Sequence, residues 1–407
     1  MFYKNAFEVS PAVMTATLMS TFHINATQLG NLVAGYFYAY LIMQMPAGIL
    51  LDRLGPRKVT TTAIILFAFG NYLFAQANSV FLAGAGRFLT GVGASFAAVN
   101  CLKLIANWFP LKQFSVMTGL MMTLAMSGAI IGQAPLGVLI DRLGWQNAFC
   151  IVGIAGLVLA VIFWSFVRDQ PSHHKKEVHI APVRASVWAS LKKLVVNPQN
   201  WWLSVYSGFA FAPIMVFAGL WGVPFISQAF YISKIVAAQA TSLSFIGFAV
   251  GAPILGWFSE WIGKRKVVMF WGTITSLISI SLVIYTPNIS YSLLTFLLFI
   301  FGFSISSFLL CFTMLREINP PILAATAVGF MNAFDAFFGA FSDPLTGKFL
   351  DLNWTGLMID GARVFSVTAY KLAFLTIPVY LVIALLSLVG IKETYCKSVE
   401  EPLSPLP

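Results

Sequence analysis

Four groups of residues in this 407-residue chain have the types and spacing to do chemistry, and the chemistry is binding and charge movement rather than bond making. Lys4 and Glu8 stand one helical turn apart and share a face; they either meet complementary charges on a solute or pair with each other. Arg87 lies well inside an apolar run, in Gly86-Arg87-Phe-Leu-Thr-Gly91-Val-Gly93, where an unpaired charge is costly. Asn332, Asp335 and Asp343 fall within one stripe of about 80° on a helix, flanked by Gly329 and Gly339. Asp335 is expected near mid-membrane and, with Asp343, is a candidate to handle protons or cations, the alternative being an acid paired to a neighbouring helix. Gln44, Asn100, Gln133, Tyr206 and Trp221 could add polar and aromatic groups to a substrate cavity, although each alone reads as a helix–helix contact. Lys103 stands close before Pro110 and is expected to snorkel to the interface, where Arg316 and Glu317 also belong. A cavity with both signs of charge suits a small polar or zwitterionic organic solute.

Enzyme chemistry finds little support. The four cysteines are scattered without a CxxC or Cys/His spacing, no phosphate-binding GxxxxGK[ST] is present, and the four histidines lie in expected loops. No cofactor and no metal are expected.

The elements that must position these residues follow from composition. The chain is 59% hydrophobic and only 9% charged, with a mean hydropathy of +0.85, far from the roughly 25% charge of soluble domains. Apolar runs of about 20 residues recur between short polar stretches, the pattern of membrane-spanning helices, and lipid requires such spans to be helical. Twelve spans are expected, in an all-α polytopic fold of two pseudo-symmetric six-helix bundles. The bundles take residues 1–166 and 200–391, joined by a hydrophilic linker at 167–199 and followed by a tail at 392–407. The first span holds Lys4, Asn5, Glu8, Ser10 and Pro11, which reads as a helix entered part-way. The net charge of +10 is topological rather than a nucleic-acid footprint. Most Lys and Arg fall in the linker and in loops on its side, which places linker and C-terminus in the cytoplasm of a cell whose inner membrane holds the chain.

One short charged loop is written twice. Gly48-Ile-Leu-Leu-Asp52-Arg53-Leu-Gly55-Pro-Arg57-Lys58 stands between spans two and three, and Gly256-Trp-Phe-Ser-Glu260-Trp-Ile-Gly263-Lys-Arg265-Lys266 between spans eight and nine. Spans five and eleven also align, Gly119 with Gly329, Gly137 with Gly347, and Asp141 with Asp351. Parallel six-helix repeats imply duplication and a two-fold axis along the membrane normal.

On these residues the chain resembles the major facilitator superfamily, whose loop pattern Gly-x-Leu-x-Asp-Arg-x-Gly-x-Arg-Arg/Lys is matched at Leu50, Asp52, Arg53, Gly55, Arg57 and Lys58. The resemblance implies alternating access, with both loops acting as a latch that holds one gated state, or the same charges merely setting topology. It implies proton coupling for Arg87, against a plain bond to backbone carbonyls. Gly119, Gly128, Gly132 and Gly137 match the antiporter pattern only in part, since Gln133 and Leu136 depart from it. The stretch Asn5-Ala-Phe-Glu8-Val-Ser-Pro11-Ala is similar to bacterial relatives of the lysosomal dipeptide transporter branch, which implies an amino acid or dipeptide substrate. Taken together, the expectation is a monomeric secondary transporter moving an amino acid, dipeptide or carboxylate, proton-coupled or facilitative. Drug or metabolite efflux is the alternative within that class, and a non-transporting receptor the alternative outside it.

Overall fold

The computed structural model describes residues 1–109, 111–169, 192, 194–320 and 323–397. Among the described residues the chain forms twelve helical rods and one short hairpin. The first six rods are α1 (Phe2–Glu8) with α2 (Thr15–Phe22), α3 (Ala26–Leu54), α4 (Pro56–Ala75), α5 (Val80–Trp108), α6 (Leu111–Ile131) with α7 (Ala134–Leu143), and α8 (Trp145–Phe166). The second set is α9 (Pro198–Ile214) with α10 (Gly222–Phe230), α11 (Lys234–Trp261), α12 (Arg265–Tyr285), α13 (Tyr291–Ile305) with α14 (Leu310–Ile318), α15 (Ala324–Leu352), and α16 (Val367–Ala373) with α17 (Thr376–Gly390). An antiparallel pair, β1 (Met358–Ile359) and β2 (Ala362–Arg363), lies between α15 and α16. Nine stretches of described helix are long and apolar enough to cross a membrane by length and composition, and the broken first rod, α3 and α15 pack among them.

Helix starts are satisfied in different ways. One end, the linker face, carries the turns near residues 55 and 263 and the start of α9. The opposite, distal face carries the turns near 23–25, 76–79, 231–233 and 286–290. At the distal face Asn25, Ser79, Ser233, Ser290 and Ser366 each cap the following helix with their own side chain, satisfying an orphan N–H of the first turn. At the linker face α4 and α12 have no such cap. A distant carboxylate substitutes in each set. Asp169 accepts from Arg57 N at 2.6 Å, and Glu393 accepts from Arg265 N and Lys266 N at 2.9 Å each. The starts do not divide strictly by end, since Asn197 caps α9 at the linker face and α8 starts at Gly144 on the distal face without a side-chain cap.

Several rods are interrupted at matching depth. Between α1 and α2 the chain makes a 3-10 turn at Ser10–Val13, where Pro11 removes a donor. Between α9 and α10 it widens into a π-helix at Met215–Trp221, just after Pro213. These two segments pack on each other across the boundary between the sets. The break between α6 and α7 falls at Gly132–Gln133, and Gln133 Nε2 donates to Ala218 O of the π segment at 2.7 Å.

The boundary between the sets is formed mainly by α3 against α15 and by α6–α7 against α11. Near the distal face the backbones touch. A side-chain carbon on Gly30 would lie 2.7 Å from the Asp343 backbone, and one on Gly347 would lie 2.4 Å from Ala26 O, so only glycine permits this approach. Toward the linker face of the same helices, a side-chain carbon on Gly48, Gly119, Gly256 or Gly329 would meet nothing within 4 Å among the described residues. Among the described residues the close backbone approach between the sets is at the distal face, and these four glycines show none at the linker face.

Candidate functional site

A cluster of charges sits between the first rod, α3 and α5. Lys4 Nζ donates to Glu8 Oε2 at 2.5 Å, and both side chains are mostly buried. Lys4 Nζ lies 5.3 Å from the centroid of the Tyr40 ring and 5.9 Å from that of Tyr36. The Arg87 guanidinium carbon is 5.3 Å from the same Tyr36 ring. Two cations therefore share one aromatic face region, an arrangement favoured by the ring quadrupole.

Arg87 is only 2% exposed. It has one hydrogen bond, from Nη1 to Phe7 O at 3.1 Å, a carbonyl freed where α1 ends. Its Nε and Nη2 have no partner among the described residues, and neither does the buried Tyr36 hydroxyl. A buried guanidinium with two vacant donors is expensive; its vacancies match the two oxygens of a carboxylate or phosphate.

Asp343 on α15 is 2% exposed, its Oδ1 has no partner among the described residues, and it feels the charge of Arg87 across the boundary between the sets. Asp335, two turns nearer the linker face, accepts from Ser207 Oγ of α9 at 2.7 Å and is 8% exposed. Asn332 is half-buried on the same helix. Thus Lys4, Glu8, Arg87 and Asp343 are brought together, while Asp335 is buried separately within the second set, against Ser207 and near Cys311.

The remaining polar candidates lie elsewhere. Tyr206 is fully buried and shares a 2.9 Å hydrogen bond with Thr273. Trp221 is fully buried in the π segment, and its Nε1 has no partner among the described residues. Gln133 stitches two rod breaks together, and Gln44 Nε2 and Asn100 Oδ1 are buried on α3 and α5 without partners among the described residues. Lys103 is tied into the protein, with Nζ donating to Leu51 O at 2.9 Å.

Arg57, Arg265 and Lys266 of the duplicated loops bond within their own sets. Arg57 donates from Nε and Nη2 to Trp164 O at 3.0 and 2.6 Å, with its guanidinium 4.1 Å from the Trp164 ring. Its counterpart Arg265 is buried among carboxylates, 3.1 Å from Glu317 and 3.4 Å from Glu260, with Nη1 on Ser259 Oγ at 2.6 Å. Lys266 Nζ donates to Ile391 O, Arg53 and Lys58 are exposed, and Gly55 and Gly263 turn the chain with φ of +82° and +65°. The side chain of Asp52 lies outside the described residues, as do Lys175, Lys176, Arg184 and Lys193 of the linker. Near Arg265, Cys396 is pushed up from the ordinary thiol range by burial, with Arg265 opposing and Glu317, Glu260 and Glu393 adding to the rise.

A sequence profile described as Major Facilitator Superfamily matches residues 5–224 and again 214–399. The chain belongs to the Major Facilitator Superfamily. Superfamily relatives share modest identity with it. It is 23% identical over 276 residues to the uncharacterized transporter YybO of Bacillus subtilis (strain 168), covering 63% of this chain and 62% of that one, so the match spans less than two thirds of that relative. It is 23% identical over 372 residues to a probable hexose phosphate transport protein of Chlamydia muridarum (strain MoPn / Nigg), and 25% over 380 residues to the probable galactarate/D-glucarate transporter GudP of Bacillus subtilis (strain 168). Each of these alignments covers 84% of this chain and 81% of the relative. The fold is that of a bacterial homolog to the human lysosomal transporter Spinster in an inward-facing, unoccupied conformation, with a TM-score of 0.77 and 17% identity over 97% of this chain and 94% of that one. The superfamily's transporters are not enzymes, and this chain is a multi-pass member that handles a small solute.

Asp169, Glu393 and Lys234, with Tyr36 and Tyr40 of the cluster, were not singled out from the sequence, and Asp141 and Asp351 were noted only as an aligned pair. The first two follow directly on the sixth and twelfth spans, and the acids at 141 and 351 close the fifth and eleventh, so their repetition was the available signal.

Proposed function

We propose that this chain is a secondary transporter for a small organic anion, a sugar-derived carboxylate or phosphate, and that it works by alternating access between two six-helix bundles. The observation that carries the reading is Arg87, buried with two vacant N–H donors beside Lys4 and Tyr36. A carboxylate is the member of the expected solute set that fills those donors without needing a second charge. The anionic sugars named in the Chlamydia and Bacillus relatives favour the same class over amino acids and dipeptides.

In this proposal the linker face is cytoplasmic and the membrane is the inner one. Residues 1–166 and 200–391 rock about the charge cluster, and the loops at Gly48–Lys58 and Gly256–Lys266 close the linker face in the opposite state. The solute enters or leaves through the linker face. Its anionic group engages Arg87, while Glu8, Asp335 and Asp343 are the carboxylates available to carry a compensating proton.

A thermal-shift screen of purified protein tests the substrate class, since a ligand that binds the folded state raises its apparent stability. D-Glucarate, D-glucuronate or glucose 6-phosphate is expected to raise the Tm of the native chain and not of Arg87→Gln. Stabilisation by dipeptides or neutral sugars alone would overturn the class.

A further inference from the structure

Two carboxylates with no part in the charge cluster stand at matching places on the distal face. Asp141 lies near the end of α7 and Asp351 near the end of α15, and each reaches over the boundary to the first residues of a helix in the other set. Asp351 accepts from Ala26 N at 3.1 Å, Thr27 N at 2.8 Å and Thr27 Oγ1 at 2.6 Å, all in the first turn of α3. Asp141 accepts from Lys234 Nζ at 2.8 Å, on the first residue of α11. The internal repeat relates the two contacts, because the fifth rod stands to the eighth as the eleventh stands to the second.

We propose that Asp351 and Asp141 are a duplicated latch that holds the distal face shut while the linker face is open. The proposal rests on the alternating-access reading but not on any substrate. The first turn of a helix presents unsatisfied N–H groups and a partial positive charge, so a carboxylate from the opposite set is a strong and directional partner. These bonds exist only while α3 meets α15 and α7 meets α11 at their distal ends. They therefore weight the equilibrium between the two gated states rather than the stability of either set alone.

The two arms are unequal. Asp351 is mostly buried and also receives Arg363 Nη1 at 3.0 Å, while the Arg363 guanidinium lies 4.2 Å from the Trp354 ring. The β1–β2 hairpin delivers Arg363 and lays Gly361 against Ser20 of α2, so it straps the same mouth. Asp141 and Lys234 are 43% and 37% exposed, where water and salt weaken an ion pair. Asp351 is the dominant arm, and Asp141 is the salt-sensitive one.

The test measures distances between paired spin labels in the full chain, reconstituted in lipid nanodiscs after its native cysteines are replaced. Thr21→Cys with Thr355→Cys reports on the distal mouth, and Leu54→Cys with Trp261→Cys on the linker mouth. Asp351→Ala is expected to raise by at least about tenfold a population with a longer distal and a shorter linker distance, in line with loss of hydrogen bonds to a charged group. Asp141→Lys combined with Lys234→Asp is expected to keep the native distribution, since each exchanged charge then suits its helix end. If Asp351→Ala does not fold, Thr27→Val with Arg363→Gln removes its partners instead and is expected to give the same shift. Unchanged distances at both mouths overturn the latch. Gly30→Trp, which drives a side chain into the Asp343 backbone, then separates the causes: if it opens the distal mouth, rocking survives without the latch, and if it does not, the alternating-access reading fails as well.

Discussion

At the residue scale the account turns on which side chains are tied down and which are left with vacant positions. Lys4 and Glu8 neutralise each other within one turn, so Glu8 is released for a proton only if something else holds Lys4. An arriving anion would do that. Glu8→Gln is therefore expected to keep solute exchange between equal pools while losing accumulation driven by a pH gradient; the measurement is uptake into proteoliposomes with and without the gradient. Asp335→Asn separates the alternative carrier of the proton, because Ser207 can still donate to an amide oxygen and the buried space stays filled. Loss of gradient-driven uptake in Asp335→Asn but not in Glu8→Gln would move coupling to the second set. Cys396 gives a check on the linker-face network. Its thiol is held above the ordinary value of 9.0 by burial and neighbouring acids, and only the thiolate reacts. Maleimide labelling at pH 7.5 is therefore expected to be slower than for a free cysteine and to climb as pH rises past 9.0. Glu317→Gln removes one of the raising charges and is expected to speed labelling at fixed pH.

At the scale of elements, the breaks in the rods carry much of the design. The first rod could pack against the fifth only where the fifth offers no side chain: a carbon on Gly132 would sit 2.0 Å from Ala6 O. Gly132→Val is expected to cost about 1–3 kcal/mol or more through overpacking, read as a fall in Tm, whereas Gly119→Val, in open space, is expected to leave Tm unchanged. Glu393 replaces a missing cap on α12, and Glu393→Ala is expected to cost about 1–2 kcal/mol. These elements were unevenly legible in the sequence. Span positions and the duplicated loop could be read because lipid demands long apolar helices and because a repeat needs no partner to be seen. The pairing of Lys4 with Glu8 could be read as one of two options, since it is local in sequence. The π-helix at Met215–Trp221 could not, because Pro213 announces a break without fixing how the chain resumes. The roles of Asp351 and Asp141 could not either. Their alignment was visible, but their partners are set by how the two sets dock, and helical periodicity says nothing about docking.

At the scale of the whole molecule, the two sets share an architecture and differ in chemistry. Arg57 is stacked on Trp164 where Arg265 is buried among carboxylates, and Arg87 with its vacant Nε and Nη2 lies in the first set while Asp335 and Asp343 lie in the second. A duplicated frame with unequal charges suits a machine whose two states are nearly balanced, with the distal contacts favouring the one seen here. Such a machine must carry its solute through the charge cluster, and Arg87 is the side chain with which the reading stands or falls. The most direct measurement is the uptake of radiolabelled D-glucarate and glucose 6-phosphate into proteoliposomes holding the native chain or Arg87→Gln, with an inward proton gradient. The account predicts saturable accumulation of at least one of these anions by the native chain, and none by Arg87→Gln although that variant is folded and monodisperse. Equal uptake by both proteins, or uptake only of uncharged solutes, would contradict it.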